Sequence, residues 1–255
     1  MNVQTAAAVG ATLVALAFAM STFERWLARR RRHELMWSIA LLMFAVAAAA
    51  LAAGAGTGWN GPVFRIFFLF GAIANVPFLA LGTVYLLGGR RVGDFATAGV
   101  AVVTAFAAGV VTVAPFTAPL PHDRLAQGSD VFGPLPRVFA GVASGAGALV
   151  VVGGALWSVW RIRTAGRGNA AARRLVVSNG LIALGTLITG ASGILNSVLN
   201  EMTGFAVALA VGIAVIFAGF LVATAAPRPV VTAALDAAPD AGASLPSRTA
   251  VTARR

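Results

Sequence analysis

Very little in this sequence is equipped to do chemistry. Its 255 residues include eight carboxylates, two histidines, one tyrosine and no cysteine, and all nineteen basic residues are arginine. Without cysteine there is no thiolate nucleophile and no thiolate-held metal. Without lysine there is no amine for a Schiff base. Haem ligation across a helix bundle asks for paired histidines, and His33 and His122 lie in separate polar segments. Zinc chemistry asks for several converging His and Asp ligands, and His122-Asp123 reads as a solvated loop pair instead. No nucleophile, base and acid can be assembled. The expectation is a protein with no catalytic residue, metal or cofactor, and not an enzyme.

The informative polar residues are those crowded by apolar neighbours. The run "GWNGPVFRIFFLFGAIANVPFLALGTVYLLGGRR", residues 58–91, carries Arg65 near one end and Asn75 and Pro77 at its middle. Pro77 has no N–H and its ring crowds the carbonyl four residues earlier, so a helix here kinks and leaves a carbonyl wanting a donor. Asn75 has two readings. One is a packed kink with a single interhelical hydrogen bond; the other is a midplane cavity of the kind broken helices form in transporters. The packed kink is preferred, because one asparagine and no charge are thin for a substrate site. A site is placed first at the rim, with Trp59, Asn60 and Arg65 on one side and "NSVLNE", carrying Asn196, Asn200 and Glu201, on the other. Arg65 is expected to pair with Glu201, directly or through Asn196 or Asn200, since Glu201 precedes a helix whose N-terminal dipole favours a carboxylate. The hydroxyls of Thr104, Thr112, Ser144, Thr186, Thr189 and Ser192 are read as back-bonds to carbonyls one turn earlier or as glue between helices.

The elements that hold these residues follow from composition. Hydrophobic residues make up 59% of the chain and charged ones 11%, with a mean hydropathy of +0.87. A water-facing surface needs about twice that charge, so most of the surface must face lipid. Seven apolar runs are long enough to cross a ~30 Å hydrocarbon core as helices: about 3–24, 35–53, 63–87, 96–117, 138–160, 175–195 and 204–226. They lack the ten-residue alternation of a β-barrel. The fold class expected is an all-α membrane protein, a seven-helix bundle over 1–226, followed by a disordered tail, 227–255, rich in Ala, Pro and Thr.

Orientation comes from the arginines. Sixteen of the nineteen fall after the first, third, fifth and seventh runs, against Arg65, Arg124 and Arg137 on the other side. The positive-inside rule then puts the N-terminus outside and the C-terminus in the cytoplasm. The first run has its positive charge behind it rather than before it, so it reads as a retained helix and not a cleaved signal. Trp26, Trp37, Trp157 and Trp160 sit at the inner rim as an aromatic belt. The +11 charge therefore reads as juxtamembrane anchoring to anionic lipid, not nucleic-acid binding. The outer segment from Pro115 to Arg137, stiffened by prolines, is read either as a lid over the bundle or as a simple span. Small residues at helical spacing (Gly141 and Gly145; Gly180, Gly185 and Gly190; Gly204, Ala208, Gly212 and Gly219) are expected where helices approach closely.

The segment "RRRRHELMWSIALLMFAVAAAA" together with the run from Gly58 to Arg91 resembles a pattern in an uncharacterised family of small bacterial seven-helix integral membrane proteins. There a basic cluster precedes the second helix and an aromatic-flanked arginine opens a Gly-rich third. The resemblance implies the membrane fold and no activity. The function expected is a multi-pass protein of the plasma membrane that binds a lipid or other apolar ligand, or serves as a sensor or subunit. The alternatives are a small transporter or channel for a neutral solute, using the Asn75/Pro77 kink, and an enzyme acting on lipid. The partners expected are membrane lipids, with anionic lipid at the arginine clusters, and a membrane-protein partner or second copy.

Overall fold

Runs of alanine, leucine and other strong helix formers, broken at Gly, Pro and Arg-rich points, give an almost wholly helical chain. The structure is a computed structural model and describes residues 3–121, 126–164, 170–199 and 202–224. In chain order the helices are α1 (Val3–Arg29), α2 (Arg32–Thr57), α3 (Gly61–Phe67), α4 (Asn75–Val113), α5 (Gly128–Val131), α6 (Pro134–Thr164), α7 (Ala170–Leu199) and α8 (Met202–Thr224), with a π-helical turn, Phe68–Ala74, between α3 and α4. Among the described residues there is no strand, only an isolated antiparallel bridge between Phe116 and Phe132. The tail 227–255 lies outside them. Helix ends overrun the apolar runs (α1 continues to Arg29) because arginine is itself a good helix former.

Five helical stretches are long and apolar enough to cross a membrane: α1, α2, Gly61–Val113, Pro134–Arg161 and Thr203–Val222. Val176–Ala191, within α7, is a shorter apolar helix. The stretch Gly61–Val113 is 53 residues long, about 80 Å at 1.5 Å per residue, and it is not one rod. Gly89 takes φ 77° and ψ −174°, a backbone that side-chain-bearing residues rarely adopt. The chain doubles back there. Tyr85 donates from its hydroxyl to Asp94 at 2.7 Å and accepts from Thr97 at 3.0 Å, and Leu81 and Tyr85 pack beside Ala96 and Val100. The expected helices 63–87 and 96–117 are thus two arms, 61–88 and 90–113, joined at one glycine instead of a loop. The second arm stops four residues early, ahead of Pro115.

Packing runs in a closed circuit, α1 against α2, α2 against α4, α4 against α6, α6 against α7, α7 against α8, and α8 back against α1. Glycines set the closest seam. A Cβ on Gly185 would lie 2.7 Å from the Gly212 carbonyl, and one on Gly219 would lie 2.9 Å from the Ser178 carbonyl, so α7 and α8 meet almost backbone to backbone. Gly180, Gly190, Gly141 and Gly145, read from sequence in the same way, have open space where a Cβ would be. The two ends of the circuit differ in chemistry. One end is aromatic, with Trp59, Phe64, Phe68 and Phe132 buried together with Ala8, Leu51, Val111 and Ala206. The other carries the turns Arg30 to Arg31 and Gly89, and all the ion pairs among the described residues.

Candidate functional site

The site grows from the break that Pro77 imposes. Immediately before it the backbone widens into the π-helical turn, and Asn75 donates its N–H five residues back, to the Phe70 carbonyl. Single π turns inside α-helices recur at functional sites. One loosened carbonyl is recovered across the bundle, where the Ser144 hydroxyl on α6 donates to the Ala72 carbonyl at 2.6 Å. Below it α6 presses close, with a Cβ on Gly147 reaching to 3.0 Å of the Val76 backbone. On the opposite side the widened turn does not fill the ring of helices.

What remains is a partly open cavity of ≈ 480 Å³ bordered by α2, the end of α3, the π turn, α4, α6, α7 and α8. Its wall is mainly methyl, methylene and phenyl: Leu41, Phe44, Leu79, Leu209, Ile213 and Ile216 among others. Its hydroxyls are already used, since Thr186 donates to the Ile182 carbonyl, Thr189 to that of Gly185 and Ser144 to that of Ala72. Asn75 is different. It borders the cavity, is 8% exposed, and its Oδ1 is buried with no hydrogen-bond partner. The single interhelical hydrogen bond of the packed-kink expectation is not made by this oxygen; an unpaired buried amide oxygen costs about 1–3 kcal/mol. Pro77 shapes the break without lining the space. Gly141 and Gly190 line it and leave it open.

A second space of ≈ 330 Å³ adjoins the first toward the aromatic end. Phe67, Ala72, Ala140 and Phe205 line both. The rings of Phe67 and Phe205, which border both spaces, meet edge to face, 6.3 Å apart at 77°. The outer space is completed by Ala126 to Ser129 and by Arg137.

The rim is built differently from its sequence reading. Asn60 caps α3, accepting from the Val63 N–H at 3.0 Å, and Trp59 folds back onto Gly54, the only residue small enough for its ring. Arg65 donates to the carbonyls of Val111 and Ala114, the latter at 2.8 Å. Those carbonyls end α4 and have no N–H of their own helix to accept from. The guanidinium also lies over Phe116, 4.4 Å from its centroid, and 5.7 Å from that of Phe132. Among the described residues Arg65 has no carboxylate partner; Asn200 and Glu201 lie outside them, and Asn196 is described only as part of the α7 backbone. Over its described residues the rim is an aromatic cap pinned by an arginine.

Two ionic clusters at the other end escaped the sequence reading. Glu34, fully buried, accepts through Oε1 from Arg25 Nη2 at 3.0 Å and Nε at 3.3 Å, while its Oε2 has no partner. Arg25 also covers Phe220 at 4.5 Å, tying α1, α2 and α8 together. Asp94 accepts from Tyr85 and pairs with Arg32 and Arg90. The usable signal was scarcity: two acids set among crowded arginines at helix ends. Among the described residues no three His, Cys, Asp or Glu come together.

No protein-family model, curated protein or solved structure matches this chain.

Proposed function

We propose that this is a seven-span protein of the cell membrane that binds an apolar molecule in its central cavity without transforming it. The span count is supported by the reversal at Gly89, which makes two crossings of Gly61–Val113, and by the 30 residues of α7, enough for a crossing. Orientation rests on the arginines: the end with Arg25, Arg32 and Arg90 faces the cytoplasm and the aromatic cap faces out. The observation that carries the binding reading is the unpaired Asn75 oxygen beside an apolar cavity of ≈ 480 Å³. Small-molecule sites are typically about 300–1,000 Å³, mostly apolar, with few polar groups. Rotation about the last side-chain torsion, which is broad for asparagine, presents the amide to a ligand hydroxyl or N–H and removes the penalty of leaving it unpaired.

Mass spectrometry of the organic extract of purified protein tests this. An apolar molecule should co-purify with the wild type and be depleted from a Gly141→Leu/Gly190→Leu variant that fills the space. The same molecules at the same ratio in both would overturn the proposal. The broken helix favours a second reading, passage of a neutral solute. It requires a water-soluble thiol reagent to modify Asn75→Cys, whereas a cavity kept for an apolar ligand leaves that cysteine unmodified.

A further inference from the structure

We infer that the space beside Arg137 is the polar subsite and outer access of the central cavity, and that the ligand is a single-chain amphiphile with a carboxylate head and, along its chain, the hydroxyl or N–H that Asn75 accepts. This deepens the binding reading above and rests on it. Four residues line both spaces, so an elongated molecule with its tail in the larger one reaches the smaller directly past Phe67 and Phe205. The linings change character along that path. The inner one is alkyl and phenyl with a single unpaired amide; the outer one brings Gln127, Ser129 and Arg137.

Among the described residues Arg137 is the sole charged side chain on either wall. Arg65, at the same end, is held by two carbonyls and two rings; Arg137 is exposed and, among the described residues, has no ion pair and no hydrogen bond. It also stands in the opening turns of α6, where the helix dipole disfavours a cation and favours an anion. One guanidinium balances one carboxylate through two parallel hydrogen bonds. A phosphate monoester would bring about −1.5 to −2 charges against that single cation.

The test is displacement of a dansylated undecanoic acid from the full-length protein in nanodiscs by oleic acid and by methyl oleate, which differ only in the charge of the head. On the wild type oleic acid should bind about tenfold or more tighter, the worth of one charge-assisted contact. Arg137→Gln should erase that difference while leaving methyl oleate unchanged. Equal affinity of acid and ester on the wild type would overturn the headgroup subsite and leave the cavity reading standing. Loss of both probes equally on Arg137→Gln would make Arg137 structural and overturn it too. Failure of both to bind the wild type would sink the cavity reading with it. The chain has no native cysteine, so access is read separately on Ala140→Cys. A membrane-impermeant maleimide added to intact cells should label it, and oleic acid should slow the labelling. No labelling from outside would overturn outer access.

Discussion

Arg65 and Asn75 stand ten positions apart on one apolar stretch, and the bundle treats them in opposite ways. Arg65, the costlier residue to embed, is answered at every face: two carbonyls at the end of α4 accept from it and two phenyl rings cover it. Asn75, the cheaper one, keeps an unpaired oxygen beside empty space. A satisfied polar group in an apolar surround is there to fix structure. On the proposed function, an unsatisfied one next to a cavity serves a ligand that comes and goes. Glu34 marks the limit of that rule, because its unpaired Oε2 borders neither space and its other oxygen is held by Arg25.

The comparison breaks first at Arg65. Arg65→Gln removes charge-assisted hydrogen bonds and a cation–π contact together, and should lower stability in detergent by about 2–4 kcal/mol, read as a fall in the thermal midpoint. An unchanged midpoint would reduce Arg65 to a snorkelling anchor. Arg65→Lys keeps the charge but loses the planar fork that reaches two carbonyls, so an intermediate loss of about 1–2 kcal/mol is expected. Full recovery with lysine would show that charge alone matters. Gly185→Leu and Gly141→Leu sharpen the contrast among glycines. The first forces a side chain into the α7–α8 seam at a cost of about 1–3 kcal/mol, whereas the second enters open space and should change stability by less than about 0.5 kcal/mol. Equal losses would mean the open space near Gly141 is filled. Smallest in magnitude and opposite in sign, Asn75→Leu should leave the ligand-free protein as stable as the wild type or more so, by up to about 1–2 kcal/mol, because it removes an unpaired buried acceptor. A clear loss would show a hydrogen bond that the cavity reading denies.

The sequence reading went furthest where physics is local. Apolar run length located the helices, and the charged "GGRR" at 88–91 marked a turn, although the hairpin closes on Gly89 alone. It reached less far where partners are distant. The Arg65 acceptors are backbone carbonyls 46 and 49 residues along the chain, and a carbonyl belongs to every residue, so no sequence pattern announces them. Glu34 follows four arginines and a histidine, a polar run with no sign of burial, yet it is fully buried and pairs with Arg25. The π turn leaves no period of its own in an apolar run. A cavity is missing volume, set by how seven elements cross, and no residue type encodes it; Asn75 and Pro77 only marked the level at which to look.

One measurement bears most directly on the cavity as a binding site: thermal stability of the full-length protein in nanodiscs of fixed lipid composition, titrated with oleyl alcohol. A ligand that binds only the folded state raises stability by an amount that grows with ligand excess over its dissociation constant, about 2.7 kcal/mol at a hundredfold excess. The wild type should show a saturable rise in midpoint, smaller in Asn75→Leu for want of the hydroxyl's partner and absent in a folded Gly141→Leu/Gly190→Leu variant. An equal rise in all three would place the alcohol in the surrounding lipid and contradict a ligand site in the cavity.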